Sequence, residues 1–471
     1  MTTEAISVSS RVSIQDFLAK NFPWLYVAIL PLIKMATATK VAAIIGLFIF
    51  GTFFKPLYAT PQDGVVVEGN ASISQSGSYT QVTQTSDRAV INWQSFNIAN
   101  GEHVHFQQPS ANSIALNRIN PANGASQIYG RLSATGQVWL INPAGVVFGP
   151  TAQVDVNGLL ATTANIRNAD FMAGRHEFIQ SPDWHGAIIN EGNIRAADYG
   201  MVALVAPAVV NRGIIQARLG TIALASGNQF TVDFYGDQLI NFGVDAKVTQ
   251  SAKDANGNEI KAGITNEGSV IADGGKILMT ARVAKDIVDN VINMKGIAQA
   301  KAVMQKGGEV VLLGGDEGVV RVTGKIDVSG KDENQSGGNV KVTGELVGLF
   351  DGARIDASGS TGGGEVLIGG DYQGKNSDVF NASRTLITPD VVIDASALVN
   401  GNGGKVITWA DGDTQFYGNI LARGGVRGGN GGFVEISGKQ GLTMFGQVDT
   451  RAPNGQIGTL LLDPKDIRSR T

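Results

Sequence analysis

The chain has 471 residues, no cysteine, 62 glycines and a formal net charge of -4. That charge is too small and of the wrong sign for a nucleic-acid-binding face, and the glycines follow no G-X-Y period, which excludes collagen. With 43% hydrophobic residues spread along its length, the chain can bury enough apolar surface to offset its ordering entropy, which excludes a disordered protein.

Residues 1–59 differ from the rest. Two apolar runs, Trp24–Ile33 and Val41–Phe54, are flanked by Lys34 and Lys40. The second run is short for a bilayer span of about 20 residues and suits a signal-peptide core. The spacing predicts an extended signal peptide over 1–59, cut between Ala59 and Thr60. An absence of cysteine suits a chain that crosses an oxidising periplasm unfolded, where a disulfide would lock a loop.

From residue 60 helical periodicity is nearly absent. Short apolar strands alternate with Gly, Asn and Asp turns. Residues 61–165 are less repetitive and richer in aromatic residues, including Trp93, Phe106 and Trp139. Further on, a Gly-Gly pair repeatedly precedes an alternating strand. The second glycines stand at 308, 338, 364, 404 and 432, spaced 30, 26, 40 and 28 apart, the long interval holding an insertion between Asp371 and Thr385. A loose period near 28 with strands and no helices predicts an all-β chain, a right-handed parallel β-helix (β-solenoid). Residues 65–463 would supply roughly 14–18 coils and a rod of ~65–85 Å. Gly and Asn would occupy corners of positive φ, and the aromatic segment 61–165 would form an N-terminal cap over the open end strands. An array of β-sandwiches is disfavoured because the repeat continues without linkers.

Few residues suggest chemistry. His103 and His105 share one face of a strand, but a metal site there lacks further ligands. Asp327, Asp351, Asp356, Asp394 and Asp449 mostly follow Ile or Val and read as the outward half of each strand. No phosphate-binding loop is present. Neither a catalytic residue, a metal nor a cofactor is expected.

The stretch Ile91–Ala164 resembles the N-terminal two-partner secretion domain (haemagglutination activity domain) of the filamentous haemagglutinin family. The resemblance rests on NWQSFNI (Asn92–Ile98), VHFQQP (Val104–Pro109), ALNRI (Ala115–Ile119), QIYGRL (Gln127–Leu132) and VWLINPAGVVFG (Val138–Gly149). The family's Asn-Pro-Asn-Gly-Ile motif stands here as Asn142-Pro143-Ala144-Gly145-Val146, with Ala for the second Asn and Val for Ile. Asn, Pro and Gly still specify a tight turn. Asn120-Pro121 forms another such pair upstream. TLLLDPKDI (Thr459–Ile467) also resembles a segment of these adhesins, whose chains often run well past it.

The resemblance implies a secretion β-helix domain over 60–300 and Gly-rich β-helix repeats over 301–471, with a truncated member of the family as the expectation. It implies an exported substrate of a two-partner system, secreted through a dedicated outer-membrane barrel after the inner-membrane general export machinery, and folding at the surface of a Gram-negative bacterium as a haemagglutinin-like adhesin. Asn142, Pro143, Gly145 and Val146, with Asn117 and Arg118, are the candidate transporter-recognition residues. The same positions also serve as structural corners. A host-cell glycan or protein is the candidate receptor, with no nucleic acid as partner. The alternative is a β-helical polysaccharide-active enzyme, a lyase or hydrolase, which would need carboxylates clustered on one face.

Overall fold

The computed structural model describes residues 60–232, 240–242, 247–463 and 465–468. The signal-peptide reading of residues 1–59, with Ala59 at its end, lies outside the described residues. Thr60 is the first described residue; it is buried, and its carbonyl accepts a hydrogen bond from Gln62 Nε2 at 2.7 Å.

The chain winds through three sheets in turn. One coil runs Gln137–Ile141, Val146–Phe148 and Gln153–Val156, and Gly158–Thr162 then returns beside Gln137–Ile141. Stacking such coils builds a 14-stranded sheet (sheet 1, holding Gln137–Ile141), a 12-stranded sheet (sheet 2, holding Val146–Phe148) and a second 14-stranded sheet (sheet 3, holding Gln153–Val156). In sheet 1 every pairing is parallel except that of Val65–Glu68 with Arg88–Trp93. The fold is therefore the expected parallel β-helix.

Thirteen parallel rungs of sheet 1 at ~4.8 Å give a stack of roughly 60 Å, shorter than the repeat length alone predicts. Strands Glu177–Ile179, Gln229–Val232 and Ile240–Phe242 form a separate sheet outside the coil, so they add no rung. The cap is also smaller than expected. At the N-terminal end, antiparallel pairing involves only Val65–Glu68 and the hairpin Ala71–Ser76 with Tyr79–Gln84 among the described strands. Parallel stacking starts with Tyr79–Gln84 in sheet 3 and Arg88–Trp93 in sheet 1, so most of the aromatic segment is already coil. These antiparallel strands hide the first rung's edge.

Alternation sends one side chain of each pair inward. Ala115, Val138, Leu159, Val202, Ile222 and Ile277 form one inward column of sheet 1 and are fully buried. Each buried Val, Leu or Ile contributes roughly 1.5–3 kcal/mol, and each rung contacts the next through the same column.

The corners differ from expectation in mechanism. The second glycines of the Gly-Gly pairs do not have positive φ. They stack at the turn from sheet 3 to sheet 1, each N–H closing the corner, as Gly364 N to Ala357 O at 2.8 Å. A Cβ on Gly338, Gly364, Gly404, Gly432 or Gly458 would overlap the carbonyl oxygen of the glycine one coil earlier. Glycine is required there for close backbone approach, not for a left-handed conformation. Asn190, Asn211 and Asn266 at the end of sheet 2 likewise have negative φ; they are fully buried and form a ladder, with Nδ2-to-Oδ1 bonds of 2.8 and 2.7 Å. Stacked amides satisfy each other where a lone buried one would cost 1–3 kcal/mol.

The outer face of sheet 1 is apolar as well, which alternation alone did not indicate. Val90, Leu116, Trp139, Leu160, Ala203 and Leu278 point outward and are buried. The residues that leave the coil cover them. Helix Asn168–Met172 and strands Glu177–Ile179 and Gln229–Val232 pack over this stripe, and Ile240–Phe242 pairs with Gln229–Val232 to complete a three-stranded antiparallel sheet. Trp139 meets Phe171 at 5.4 Å and Phe178 at 5.8 Å, and Phe178 stacks on Phe230 at 4.9 Å. A single five-residue helix cannot announce itself by periodicity.

Further along, the insertion after Asp371 covers a second outward patch of Leu367, Ile407 and Trp409. Glu435 lies beneath it, fully buried, accepting from the Gln373 N–H at 3.2 and 3.3 Å. Burial pushes its carboxyl above the ordinary range, and Asp463 and Asp371 add to the shift against the Gln373 bond. The folded state then holds a proton that the unfolded chain has released, so stability falls as pH rises from the unfolded carboxylate range through the folded value. Glu435→Gln is expected to raise the denaturant midpoint at about pH 7 and leave it unchanged at about pH 3, where both states are protonated.

Candidate transporter-recognition segment

Asn142-Pro143-Ala144-Gly145-Val146 is the corner that carries the chain from sheet 1 to sheet 2, between Gln137–Ile141 and Val146–Phe148. Asn142 is fully buried. Its Oδ1 accepts from Ala144 N at 3.0 Å, an Asx turn, and its Nδ2 donates to Gly124 O and Ser126 Oγ, both at 3.0 Å. Gly145 has φ +109 and donates to Asn142 O at 2.8 Å. A Cβ there would stand 2.7 Å from Ala187 O, so both conformation and space demand glycine. Val146 is buried in the core and sits between Ser126 and Ile188. Only Pro143 and Ala144 are partly exposed. The Ala that replaces the family's second Asn contributes its backbone N–H to the turn, so the turn survives the replacement.

Asn120-Pro121-Ala122 makes the same Asx turn one rung earlier, with Ala122 N donating to Asn120 Oδ1 at 3.1 Å. Asn120 is half-buried where Asn142 is fully buried.

Asn117 and Arg118 lie on the adjacent rung, Asn117 opposite Leu140 and Arg118 opposite Ile141. They are brought close to the corner but point to opposite faces. Asn117 is inside the coil and fully buried, accepting from Trp93 Nε1 at 2.9 Å and donating to Ala115 O at 3.0 Å. Arg118 points outward and holds the segment that covers sheet 1. Its guanidinium donates to Asn165 Oδ1 at 2.9 Å, Asn168 Oδ1 at 2.8 Å and Ile166 O at 2.8 Å. Burial lowers its pKa. Arg118→Met is expected to cost about 3 kcal/mol and to open residues 163–182 to protease before the coil unfolds, as read by limited proteolysis and thermal unfolding.

The acidic residues of the repeats do not converge on a cleft. Asp327, Asp356 and Asp394 are in register on successive strands of sheet 3. Each accepts from the backbone N–H of the serine two residues on, at 3.1, 3.1 and 2.9 Å. Asp327 is buried rather than exposed, paired with Lys325 at 2.8 Å; Asp356 pairs with Lys331 at 2.7 Å and Asp449 with Arg451 at 2.7 Å. These are turn and ion-pair positions. Among the described residues no three His, Asp or Glu side chains stand together as a metal site. His103 and His105 do share a face, half-buried, on Ser133.

The apolar outer stripe of sheet 1 and the segment latched by Arg118 were not foreseen. The signal was present in the continuous apolar runs VWLI at Val138–Ile141 and MVALV at Met201–Val205, which are too apolar for a strand with one wet face.

The TPS secretion domain family matches residues 57–331 of the chain. A Heme/hemopexin-binding protein of Haemophilus influenzae is 29% identical over 450 residues, 90% of this chain and 47% of that protein. A second Heme/hemopexin-binding protein of Haemophilus influenzae is 28% identical over 472 residues, 91% of this chain and 49% of that protein. The chain thus spans about half the length of the curated relatives it matches. Among solved structures, the HMW1 secretion domain from Haemophilus influenzae is similar with a TM-score of 0.71 and 32% identity, covering 86% of this chain and 100% of that one. With the family's match extending over more than half its length, on a β-helix that a solved secretion domain shares, this chain belongs to the TPS secretion domain family.

Proposed function

We propose that this chain is a haemagglutinin-like adhesin displayed at or released from the bacterial surface. Residues 1–59 direct it through the inner-membrane general export machinery and are removed between Ala59 and Thr60. The secretion domain is residues 60–300, and 301–471 extend it with Gly-rich coils. The outer-membrane barrel reads Asn142, Pro143, Gly145 and Val146, with Asn117 and Arg118, on the extended chain. Buried as they are after folding, Asn142 and Asn117 offer a reader nothing in the closed coil, so reading precedes folding. The chain then folds outside, coil upon coil, and presents its outer faces to a host-cell glycan or protein.

The observation that supports this reading most is the unbroken parallel stack behind an antiparallel N-terminal cap. Each arriving strand finds a finished edge to pair with and apolar surface to bury, which opposes back-sliding without a nucleotide. The test is expression in a Gram-negative host with and without the cognate barrel. Barrel-dependent appearance in the medium, with an N-terminus at Thr60, is the expected result. Retention in the periplasm with the barrel confirmed in the outer membrane overturns it.

A second reading follows from the relatives, whose names state haem and hemopexin binding and whose similarity runs along 90% of this chain. On that reading the displayed coil captures a haem carrier. Retention of hemopexin on the immobilised chain would favour it over adhesion to cells.

A further inference from the structure

The outer face of sheet 3 beside the cap carries a polar cluster that lies outside the corner Asn142–Val146. Tyr79, His103 and Arg131 are in register on three consecutive strands, and His105, Ser133 and Asp155 form the neighbouring column. These residues line one shallow, open groove. Both histidine rings reach the same hydroxyl, His103 Nε2 to Ser133 Oγ at 2.7 Å and His105 Nδ1 to Ser133 Oγ at 2.8 Å. The Tyr79 ring stands edge-on to His103 at 5.1 Å. The side chains are thus held in place before any ligand arrives. Burial first, then Arg131, lowers the pKa of both rings, so at neutral pH they serve as hydrogen-bonding groups rather than charges.

Arg131 is exposed and makes no ion pair among the described residues. Arg212 is paired with Glu191 and Glu267 and Arg218 with Asp198, which leaves neither guanidinium free for a ligand in the way Arg131 is. An unpaired guanidinium in a groove with neutral rings, hydroxyls and a single carboxylate is a particular kind of site. A metal cation is opposed by Arg131. A phosphate dianion is opposed by Asp155. A sugar with one carboxylate satisfies every group: the carboxylate on Arg131 as a two-pronged ion pair, ring C–H faces against Tyr79, and hydroxyls shared among Ser133, His105 and Asp155.

We propose that this groove binds a carboxylate-bearing sugar at the end of a glycan chain. The site rests on the reading of the chain as surface-displayed, and it names the receptor chemistry within that reading. An open groove suits the tip of a glycan that continues into solvent, and its polar lining makes binding of one sugar weak, on the order of millimolar, so display of many copies would supply avidity.

The test uses the processed, secreted chain and three soluble probes: sialyllactose, a disaccharide ending in glucuronate, and lactose. Saturation-transfer NMR and titration are expected to show binding of one or both acidic probes and none of lactose, the two acidic probes distinguishing a sialic from a uronic ligand. Arg131→Gln is expected to weaken binding at least about tenfold, the scale of one charge-assisted pair. Arg131→Lys, which keeps charge and loses the fork, should fall between. Thermal midpoints of both variants report folding. Lactose binding equal to that of the acidic probes, or acidic-sugar binding unchanged in a folded Arg131→Gln, overturns the proposal. Failure here with barrel-dependent secretion intact removes the sugar site alone; failure of secretion removes the reading beneath it.

Discussion

Gly364→Ala, a change of one methyl group, is expected to unfold the coils on its C-terminal side and to cut secretion several-fold. Gly364 lies in the corner column, its carbonyl accepting from Lys405 N at 3.0 Å while its own N–H donates to Ala357 O at 2.8 Å. A Cβ at this position overlaps the Gly338 carbonyl oxygen and has backbone, not a flexible side chain, as its neighbour. Relief would require separating two coils, which breaks the sheet 1 pairing of Glu365 with Asn339 and the contacts of Val366 with Val340 beneath it. The expected cost is about 3 kcal/mol or more. In a stack where each coil is held mainly by its neighbours, a break propagates to every later coil rather than staying local. The matched control is Gly362→Ala, two residues away. A Cβ there meets nothing closer than Ser336 Oγ at 3.5 Å, and its φ is not positive, so it should secrete and melt like the parent. Pulse-chase secretion and thermal unfolding of the two variants check this together. Equal behaviour of Gly364→Ala and Gly362→Ala would mean that the close approach of coils does not govern folding.

The glycine column also shows where sequence reading worked and where it stopped. The Gly-Gly pairs before strands were visible as a repeat, and that repeat carried the fold. Their reason was misassigned, because turn chemistry and close packing both select glycine and only coordinates separate them. The same holds for Asn190, Asn211 and Asn266, which sit 21 and 55 residues apart and form one ladder. Sequence spacing hides that contact, since an excursion of variable length separates successive rungs. The inward columns were legible because alternation with period 2 is a local property. The covered outer face was not. Trp139 looks like any core residue in the sequence, yet its ring lies outside the coil against Phe171 and Phe178. The corner Asn142–Val146 and the Asn117–Arg118 pair were both legible through the family resemblance. That Asn117 faces the core and Arg118 the outer segment follows from strand alternation, but what waits on each side does not. The sugar-binding groove had a single sequence signal, His103 and His105 at period 2; Tyr79, Arg131 and Ser133 join it only through register between rungs.

Asn142→Ala is expected to reduce secretion by more than about tenfold, beyond what its effect on stability explains. Removing the amide leaves Ala144 N without its acceptor and the buried Ser126 hydroxyl without its donor, at a cost of about 2–3 kcal/mol. A loss of that size could slow secretion simply by delaying the coil, so stability has to be matched. Asn190→Ala provides the match. Asn190 is as buried as Asn142 and bonds Asn211 Oδ1 and Gly192 N, but lies outside the motif. Both variants should lower the midpoint of unfolding by similar amounts. If the barrel reads the motif on the extended chain, secretion of Asn142→Ala falls well below that of Asn190→Ala, and crosslinking of the unfolded segment to the barrel's periplasmic domains falls with it. If the two secrete equally, the motif is a corner and nothing more, and recognition resides elsewhere in the secretion domain. Ala144→Asn sharpens the contrast. Ala144 gives the Asx turn only its N–H and its side chain is partly exposed, so restoring the family's Asn changes the folded corner little. A rise in secretion on that substitution with an unchanged midpoint is the outcome that only reading of the extended chain produces.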